Sequence, residues 1–514
     1  MGTHSKLLGA LGLATFFCTH TVEAKVRLPA LFSENMVLQQ EKPVAIWGWA
    51  DDGEKITVEF RGSSVSTEAK QGKWKMLLPK TSAGGPFKMA IKGENEIILN
   101  HVLVGEVWIC SGQSNMEFPM RASFKSEKDI ATSSHPQIHL FTVPKLKSNE
   151  PVEDVKGSWT ECSPDSLPDF SAVAYYFGRD LQKALNVPIG LIHTSWGGSP
   201  AEVWMRDEVL ETNPLYKAEI LDNYTKQLQN AQGDIAKWET EKAAAQKEGK
   251  SFNRGKPGPF WKPSELYNGM IAPLVPYTIA GAIWYQGESN AGSAWQYRML
   301  FADMITNWRI DFGQGDFPFL LVQIAPWDKA RKRELSEITK SPVESDWAEL
   351  REAQLISTEV LPKVGMAVIT DLGDKDDIHP TKKEPVGHRL ALAAEGIAYG
   401  KSVVYSGPVY KQLEIEGPRA IITFAQANGL EAKGGELTGF AIAGIDRHFH
   451  WAKGEIKGDT VVLTSPDVEN PVAVRYGWAD FPVVNLFNGA GLPASPFRTD
   501  NFPMLTGPRI GVNK

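Results

Sequence analysis

Between Val102 and about residue 402 the chain repeats one alternation, an apolar run followed by a stretch of helical periodicity. The apolar runs fall at residues 104–110, 189–194, 279–285, 317–324 and 366–370, and amphipathic segments such as 172–185 and 297–308 lie between them. A strand that is apolar on both faces must be covered on both faces, and strands joined through helices run parallel. The pattern therefore predicts an α/β domain over residues 101–402 built on a buried parallel sheet. In such sheets ligands bind beyond the carboxyl ends of the strands, so chemistry is expected just after each run.

The flanks have a different rhythm. In Lys55-Ile56-Thr57-Val58-Glu59-Phe60 the apolar residues alternate, as a half-buried strand requires. Val44-Ala45-Ile46-Trp47 is a second apolar run, and Asp51-Asp52-Gly53 and Ala83-Gly84-Gly85-Pro86 are turns. A β-sandwich-like domain over residues 25–100 follows. Runs at 420–424, 439–443, 460–464 and 472–476, divided by Gly- or Asp-containing turns, predict a second β-rich module over residues 403–514. Residues 212–263 form an insertion in the α/β domain. Leu221, Tyr224, Leu228, Ala231, Ile235 and Trp238 make a heptad seam, weakened by Gly233, and a Gly/Pro-rich loop follows over residues 250–263. A helical arm packed on its own domain is expected; a lid or a dimer contact is the alternative.

Residues 1–24 have the pattern of a cleavable export signal. Lys6 precedes an apolar stretch over residues 7–17, and Val22-Glu23-Ala24 offers a small-residue cleavage site. The stretch is too short to span a bilayer. Thr15-Phe16-Phe17 is too bulky for lipidation at Cys18, so a secreted or periplasmic protein with no membrane span is expected. The net charge of −7, with no dense Lys/Arg run, excludes nucleic acid as a partner. Cys110 and Cys162 form either one disulfide or two buried thiols, and no His/Cys cluster has metal-ligand spacing. The sixteen tryptophans suit sugar stacking and core packing equally.

Four segments carry possible chemistry. Gly112-Gln113-Ser114-Asn115-Met116 directly follows a strand, where a turn exposes a serine that a neighbouring base can activate. In Asp376-Asp377-Ile378-His379-Pro380 an aspartate three residues before the histidine can accept from Nδ1–H and leave Nε2 free for the serine proton. His193, at a strand end, is the second choice for base; His388 looks like helix surface. Ser195-Trp196-Gly197-Gly198-Ser199-Pro200 and Trp284-Tyr285-Gln286-Gly287-Glu288-Ser289-Asn290 offer oxyanion donors: a Gly197 or Gly198 N–H, and a Gln286 or Asn290 amide. Each segment also has an ordinary turn explanation. Their combination is the specific signal.

Taken together these blocks resemble the SGNH hydrolase superfamily and, within it, the sialate O-acetylesterase family of carbohydrate esterases. Asn35-Met36-Val37-Leu38-Gln39 is similar to that family's leading β-domain. Phe449-His450-Trp451-Ala452, Val474-Arg475-Tyr476-Gly477-Trp478 and Pro493-Ala494-Ser495-Pro496-Phe497-Arg498 are similar to its C-terminal end. The resemblance implies a three-layer α/β/α catalytic domain with no metal or organic cofactor. It implies Ser114 as nucleophile, His379 as base and Asp376 as its orienting acid. The oxyanion would be held by the Ser114 backbone, a glycine of Gly197-Gly198 and a side chain of the Gln286 to Asn290 block. It also implies an O-acetylated sugar as partner, with O-acetylated sialic acids as substrates. Arg121 or Arg206 would face the sialate carboxylate. Acetylated xylan is the rival substrate, and a non-catalytic carbohydrate-binding protein the rival class.

Overall fold

The computed structural model describes residues 25–330 and 332–508; the expected export signal lies outside the described residues. The N-terminal module holds β1 (Val37–Gln39), β2 (Val44–Trp49), β3 (Lys55–Phe60), β4 (Ser63–Glu68), β5 (Lys73–Leu78) and β6 (Gly84–Lys92). β3 buries every second residue and pairs antiparallel with β4 and β6, while β2 pairs with β5.

One long strand, β7 (Glu96–Gly112), serves two sheets. Its first part pairs antiparallel with β6; from Val102 onward it is wholly buried and enters the central sheet. That sheet adds β8 (His135–Thr142), β9 (Thr160–Cys162), β10 (Ile189–Ser195), β11 (Gly281–Tyr285), β12 (Phe319–Val322) and β13 (Val364–Ala367). The order is β13-β12-β11-β7-β10-β8-β9, parallel except at β8–β9. β13 ends before the expected residues 368–370. The Val368 carbonyl is taken by the Arg389 guanidinium instead of a neighbouring strand.

β7 runs into the single-turn helix α1 (Ser114–Glu117); the larger helices are α2 (Ala172–Leu185), α3 (Asn223–Lys247), α4 (Ala294–Phe312), α5 (Asp346–Val360) and α6 (Glu384–Ile397). Alternate strand residues point to opposite faces. Trp108, Cys110, Ile283 and Leu320 therefore share a core with Val173 and Phe177 of α2 and with Val386 and Leu390 of α6. Val107, Ile109, Trp284 and Leu321 share another with Tyr297, Phe301 and Trp308 of α4 and with Leu350 of α5. The result is the three-layer α/β/α domain with flanking β-rich modules. Trp108, Trp204, Trp284 and Trp308 are core residues, so much of the tryptophan content is packing. Cys110 and Cys162 are buried free thiols.

The C-terminal module is a sandwich. Val409–Glu416, Arg419–Ala425, Thr460–Thr464 and Lys453–Lys457 form one sheet, and Phe449–Trp451, Phe440–Ala443, Ala473–Tyr476 and Phe497–Arg498 the other. Ile422, Val461 and Leu463 pack against Phe440, Ile442 and Val474 between them.

In the insertion, α3 buries no residue fully. The later part of its seam is covered by its own return loop: Gly258 lies against Ala231 and Ile235, and Trp238 packs edge-on against Phe252 and donates to the Arg254 carbonyl, whereas Leu228 stays exposed. Among the described residues no helix is long and apolar enough to cross a membrane.

Candidate active site

β7 delivers Ser114 to the carboxyl edge of the sheet. Gly112, its last residue, pairs with Ser195 of β10 on one side and Tyr285 of β11 on the other. Its φ is 141°, and a Cβ there would lie 2.2 Å from the Tyr285 carbonyl oxygen, so only glycine fits this exit. Ser114 opens into a cleft of about 670 Å³ whose walls include Phe118, Pro144, His193, Trp196, Gly197 and His379.

His379 Nε2 lies 2.8 Å from Ser114 Oγ. Partial burial of the imidazole lowers its pKa; the Asp377 charge opposes that and the Lys383 charge reinforces it. A neutral ring is the form that can take a proton. Activity that depends on it is lost as pH falls through a pKa below the usual value of about 6.5. We therefore expect kcat/KM to stay level from pH 8 to about 6.5 and to decline only below that. A pH profile already halved at neutrality would contradict this environment for His379.

The structure does not bring Asp376 to the imidazole. Its carboxylate pairs with Lys375 Nζ at 2.7 Å and accepts the Lys332 backbone N–H at 3.0 Å. The nearer group is Asp377: Oδ1 lies 3.6 Å from His379 Nδ1 and accepts the His379 backbone N–H at 2.8 Å. A carboxylate two residues before the histidine closes a tight turn back onto it, a geometry that the three-residue spacing argument passes over.

Gln286 and Asn290 are likewise turned inward. Gln286 Nε2 donates to the Ser199 carbonyl and to Asn290 Oδ1. Asn290 Nδ2 goes to Glu202, and Asn290 Oδ1 also accepts the Ala201 N–H. These amides brace the Ser199–Ala201 turn. Gly197 is placed otherwise: a Cβ on it would lie 3.2 Å from Ser114 Cβ, and its N–H donates to Glu117 Oε2 at 2.6 Å. A carboxylate oxygen thus sits on the Gly197 N–H beside the serine, which is anion-binding geometry. Gly198, with φ of 75°, allows the turn. Glu117 also pairs with Lys145 at 2.5 Å. Its position three residues after Ser114, on the same face of one helical turn, was a signal available in the sequence.

Behind the serine lies a polar network that the sequence did not announce. Asn115 Nδ2 donates to Glu288 Oε1 at 2.7 Å and to the Ile378 carbonyl at 3.1 Å, and Asn115 Oδ1 accepts from Lys383 Nζ at 2.5 Å. One amide therefore ties the nucleophile turn to the histidine loop. Lys383 is fully buried over the Phe118 and Tyr285 rings, and burial pulls its pKa down to about 7. Burial raises the Glu288 pKa.

The other candidates are engaged elsewhere. His193 Nε2 lies 2.6 Å from Ser195 Oγ, and complete burial lowers its pKa to about 4. His388, on α6, pairs with Asp180. Arg121 lines the cleft but is paired with Asp169, and Arg206 turns to Asp311. Among the described residues no group of three or more His, Cys, Asp or Glu side chains could hold a metal ion.

The model of a family described as carbohydrate esterase, sialic acid-specific acetylesterase, matches residues 104–237 and 249–395. The chain belongs to that family. It is 30% identical to the sialate O-acetylesterase of Mus musculus over 92% of this chain and 94% of that protein. It is 28% identical to the Homo sapiens sialate O-acetylesterase over 92% of each. A crystal structure of a carbohydrate acetylesterase from Xanthomonas citri superposes with a TM-score of 0.80 at 38% identity, covering 93% of this chain and all of that one. This family member is accordingly a carboxylic ester hydrolase acting in sugar O-deacetylation.

Proposed function

We propose that the chain is a secreted serine esterase that removes O-acetyl groups from sugars through Ser114, His379 and Asp377. The observation that carries this is the 2.8 Å contact of His379 Nε2 with Ser114 Oγ at the carboxyl end of β7. Ser114 Oγ attacks the acetyl carbonyl while His379 Nε2 takes its proton. The oxyanion is received by the backbone N–H groups of Ser114 and Gly197; Glu117 Oε2, now on the Gly197 N–H, gives way as substrate enters while Oε1 keeps its pairing with Lys145. The tetrahedral intermediate collapses, the C–O bond to the sugar breaks, and His379 returns the proton to the leaving alcohol. Water, deprotonated by His379, then attacks the acetyl-enzyme; the bond from the acetyl carbon to Ser114 Oγ breaks, His379 returns the proton to Oγ, and acetate leaves. The apolar stretch and cleavage site within residues 1–24 support export.

Sialic acids are the substrates named for the mammalian relatives. A neutral glycan is favoured by a different observation, namely that the two cations of the cleft, Arg121 and Lys145, already have carboxylate partners in Asp169 and Glu117. Acetate release from O-acetylated sialic acids and from acetylated xylan, compared side by side, separates the two. The same assay tests the acid. Asp377→Asn keeps an oxygen for the His379 N–H but removes the charge facing Nδ1, so kcat should fall roughly 10²- to 10⁴-fold. Asp376→Asn, which loses only its exposed contacts to Lys375 and Lys332, should cost less than about 10-fold. The reverse ranking would return the role to Asp376.

A further inference from the structure

Trp196 links the catalytic cleft to a row of aromatic rings. This ring, a wall of the cleft, packs edge-on against Trp261 with centroids 5.6 Å apart, and Trp261 packs against Phe260 at 4.8 Å. Beyond this aromatic row is a second cavity of about 330 Å³, within the range of small-molecule sites, roughly 300–1,000 Å³. Its lining includes Glu202, Glu219, Asn223, Tyr224, Gln227 and Ser289. The first turns of α3 and the return loop thus form one wall, and the Ser289–Asn290 segment, which follows the Glu288 that braces Asn115, forms the other.

Phe260 stands at the rim with 68% of its surface exposed, although it lies beside a buried core. Lys147 Nζ is held over the Phe260 and Trp261 rings at 3.9 and 4.3 Å and pairs with Glu265. The charged groups of the lining are carboxylates, Glu202 and Glu219. Glu202 holds Asn290 and Glu219 holds Gln296, each through one oxygen. Flat apolar faces beside amides, a phenol, hydroxyls and carboxylate oxygens are the surface that a pyranose requires. Its C–H face stacks on a ring while its hydroxyls donate to carboxylates and exchange hydrogen bonds with amides. An anionic sugar is disfavoured there by the two glutamates.

We infer that the helical insertion builds a saccharide subsite, formed by the Phe260–Trp261 row and the Asn223/Gln227 face of α3, that holds an uncharged sugar unit next to the acetylated one. This rests on the esterase reading for the identity of the neighbouring cleft. It gives the insertion a purpose, and it makes an oligosaccharide rather than a free monosaccharide the preferred partner. It holds whether the acetylated unit is neutral or a sialic acid carried on neutral sugars.

The test is calorimetric titration of the full chain with two ligands that carry no ester, xylohexaose and 3′-sialyllactose, each beside its monosaccharide, xylose or free sialic acid. Saturable binding of at least one oligosaccharide, 10-fold or more tighter than its monosaccharide, is expected. That advantage should shrink at least 5-fold in Phe260→Ala and in the double variant Asn223→Ala/Gln227→Ala, which alter exposed or half-buried side chains. Which oligosaccharide binds reports whether the acetylated unit is neutral or sialic. No saturable binding of either, or an advantage unaffected by both variants, would overturn the subsite. Acetate release is read separately: its loss in Ser114→Ala with oligosaccharide binding intact supports both readings, and intact binding with serine-independent release removes only the catalytic one.

Discussion

Ser114→Ala is expected to lower kcat for acetate release by about 10⁴-fold or more, equivalent to roughly 5 kcal/mol of transition-state stabilisation. The substitution deletes the attacking atom and little else. Among the described residues the Ser114 side chain has one hydrogen-bond partner, His379, and the turn that carries it is set by Gly112 and by Asn115. Folding stability should therefore move by less than about 0.5 kcal/mol. His379→Ala should cost a similar factor, and the double variant little more, because residues that act as one unit are not additive. Labelling by a fluorophosphonate followed by peptide mass analysis should place the adduct on Ser114. The structure contains a second serine–histidine contact, Ser195 with His193 at 2.6 Å, in the wall of the same cleft. Burial keeps His193 neutral and outweighs the Glu117 charge that would favour a protonated ring, and among the described residues its buried Nδ1 has no hydrogen-bond partner to orient it. Ser195→Ala should reduce kcat by less than about 10-fold. A Ser114→Ala protein retaining a tenth of wild-type activity, with activity lost in Ser195→Ala, would move the chemistry to that pair.

The contrast between these two pairs shows what the sequence could and could not convey. The sheet was legible because burial on both faces leaves a continuous apolar run, and residues 104–110 or 189–194 admit no other use at that length. The place of Ser114 followed from it: a Gly-x-Ser immediately after such a run sits at a strand end. His379 was legible as the histidine in a late loop of the same domain. What failed to appear was side-chain direction. Asp376 and Asp377 are adjacent, and their roles are divided by Lys375 and the Lys332 N–H, which capture one carboxylate and leave the other by the imidazole. Gln286 and Asn290 have the right donors, yet Ser199 and Glu202 claim them from a separate segment. Lys383 had no signature, because a lysine on a polar-looking turn reveals nothing of the rings and the amide that surround it. The heptad seam of the insertion was real periodicity, but its partner is a loop with no apolar pattern strong enough to announce itself.

The C-terminal module reaches the same histidine loop by a route that can be cut at one residue. Arg351, on α5, is fully buried, and its guanidinium donates to four carbonyls: Ile324 and Ala325 after β12, and Ala479 and Asp480 of the C-terminal module. Five N–H donors in a fixed plane make arginine suited to clamp two segments at once. The segment after β12 continues outward. The Trp327 N–H donates to the Asp480 carbonyl, the Asp328 N–H to the Lys375 carbonyl, and the Lys332 N–H to Asp376. The clamp thus leads through one stretch of backbone to the loop that carries Asp377 and His379. Arg351→Ala removes the donor of the Ile324 and Ala479 carbonyls, takes one of two donors from the Ala325 and Asp480 carbonyls and opens a cavity, and should cost roughly 3–5 kcal/mol. Arg351→Lys keeps the charge but spans fewer acceptors, and should recover less than half of that loss. Scanning calorimetry should show the alanine variant unfolding at a lower temperature, with an early transition from the C-terminal module. Hydrogen exchange should rise at residues 374–379 as well as at 479–480. If exchange rises at 479–480 alone, the module is merely attached there. A rise at both would show that it holds the base in register with Ser114.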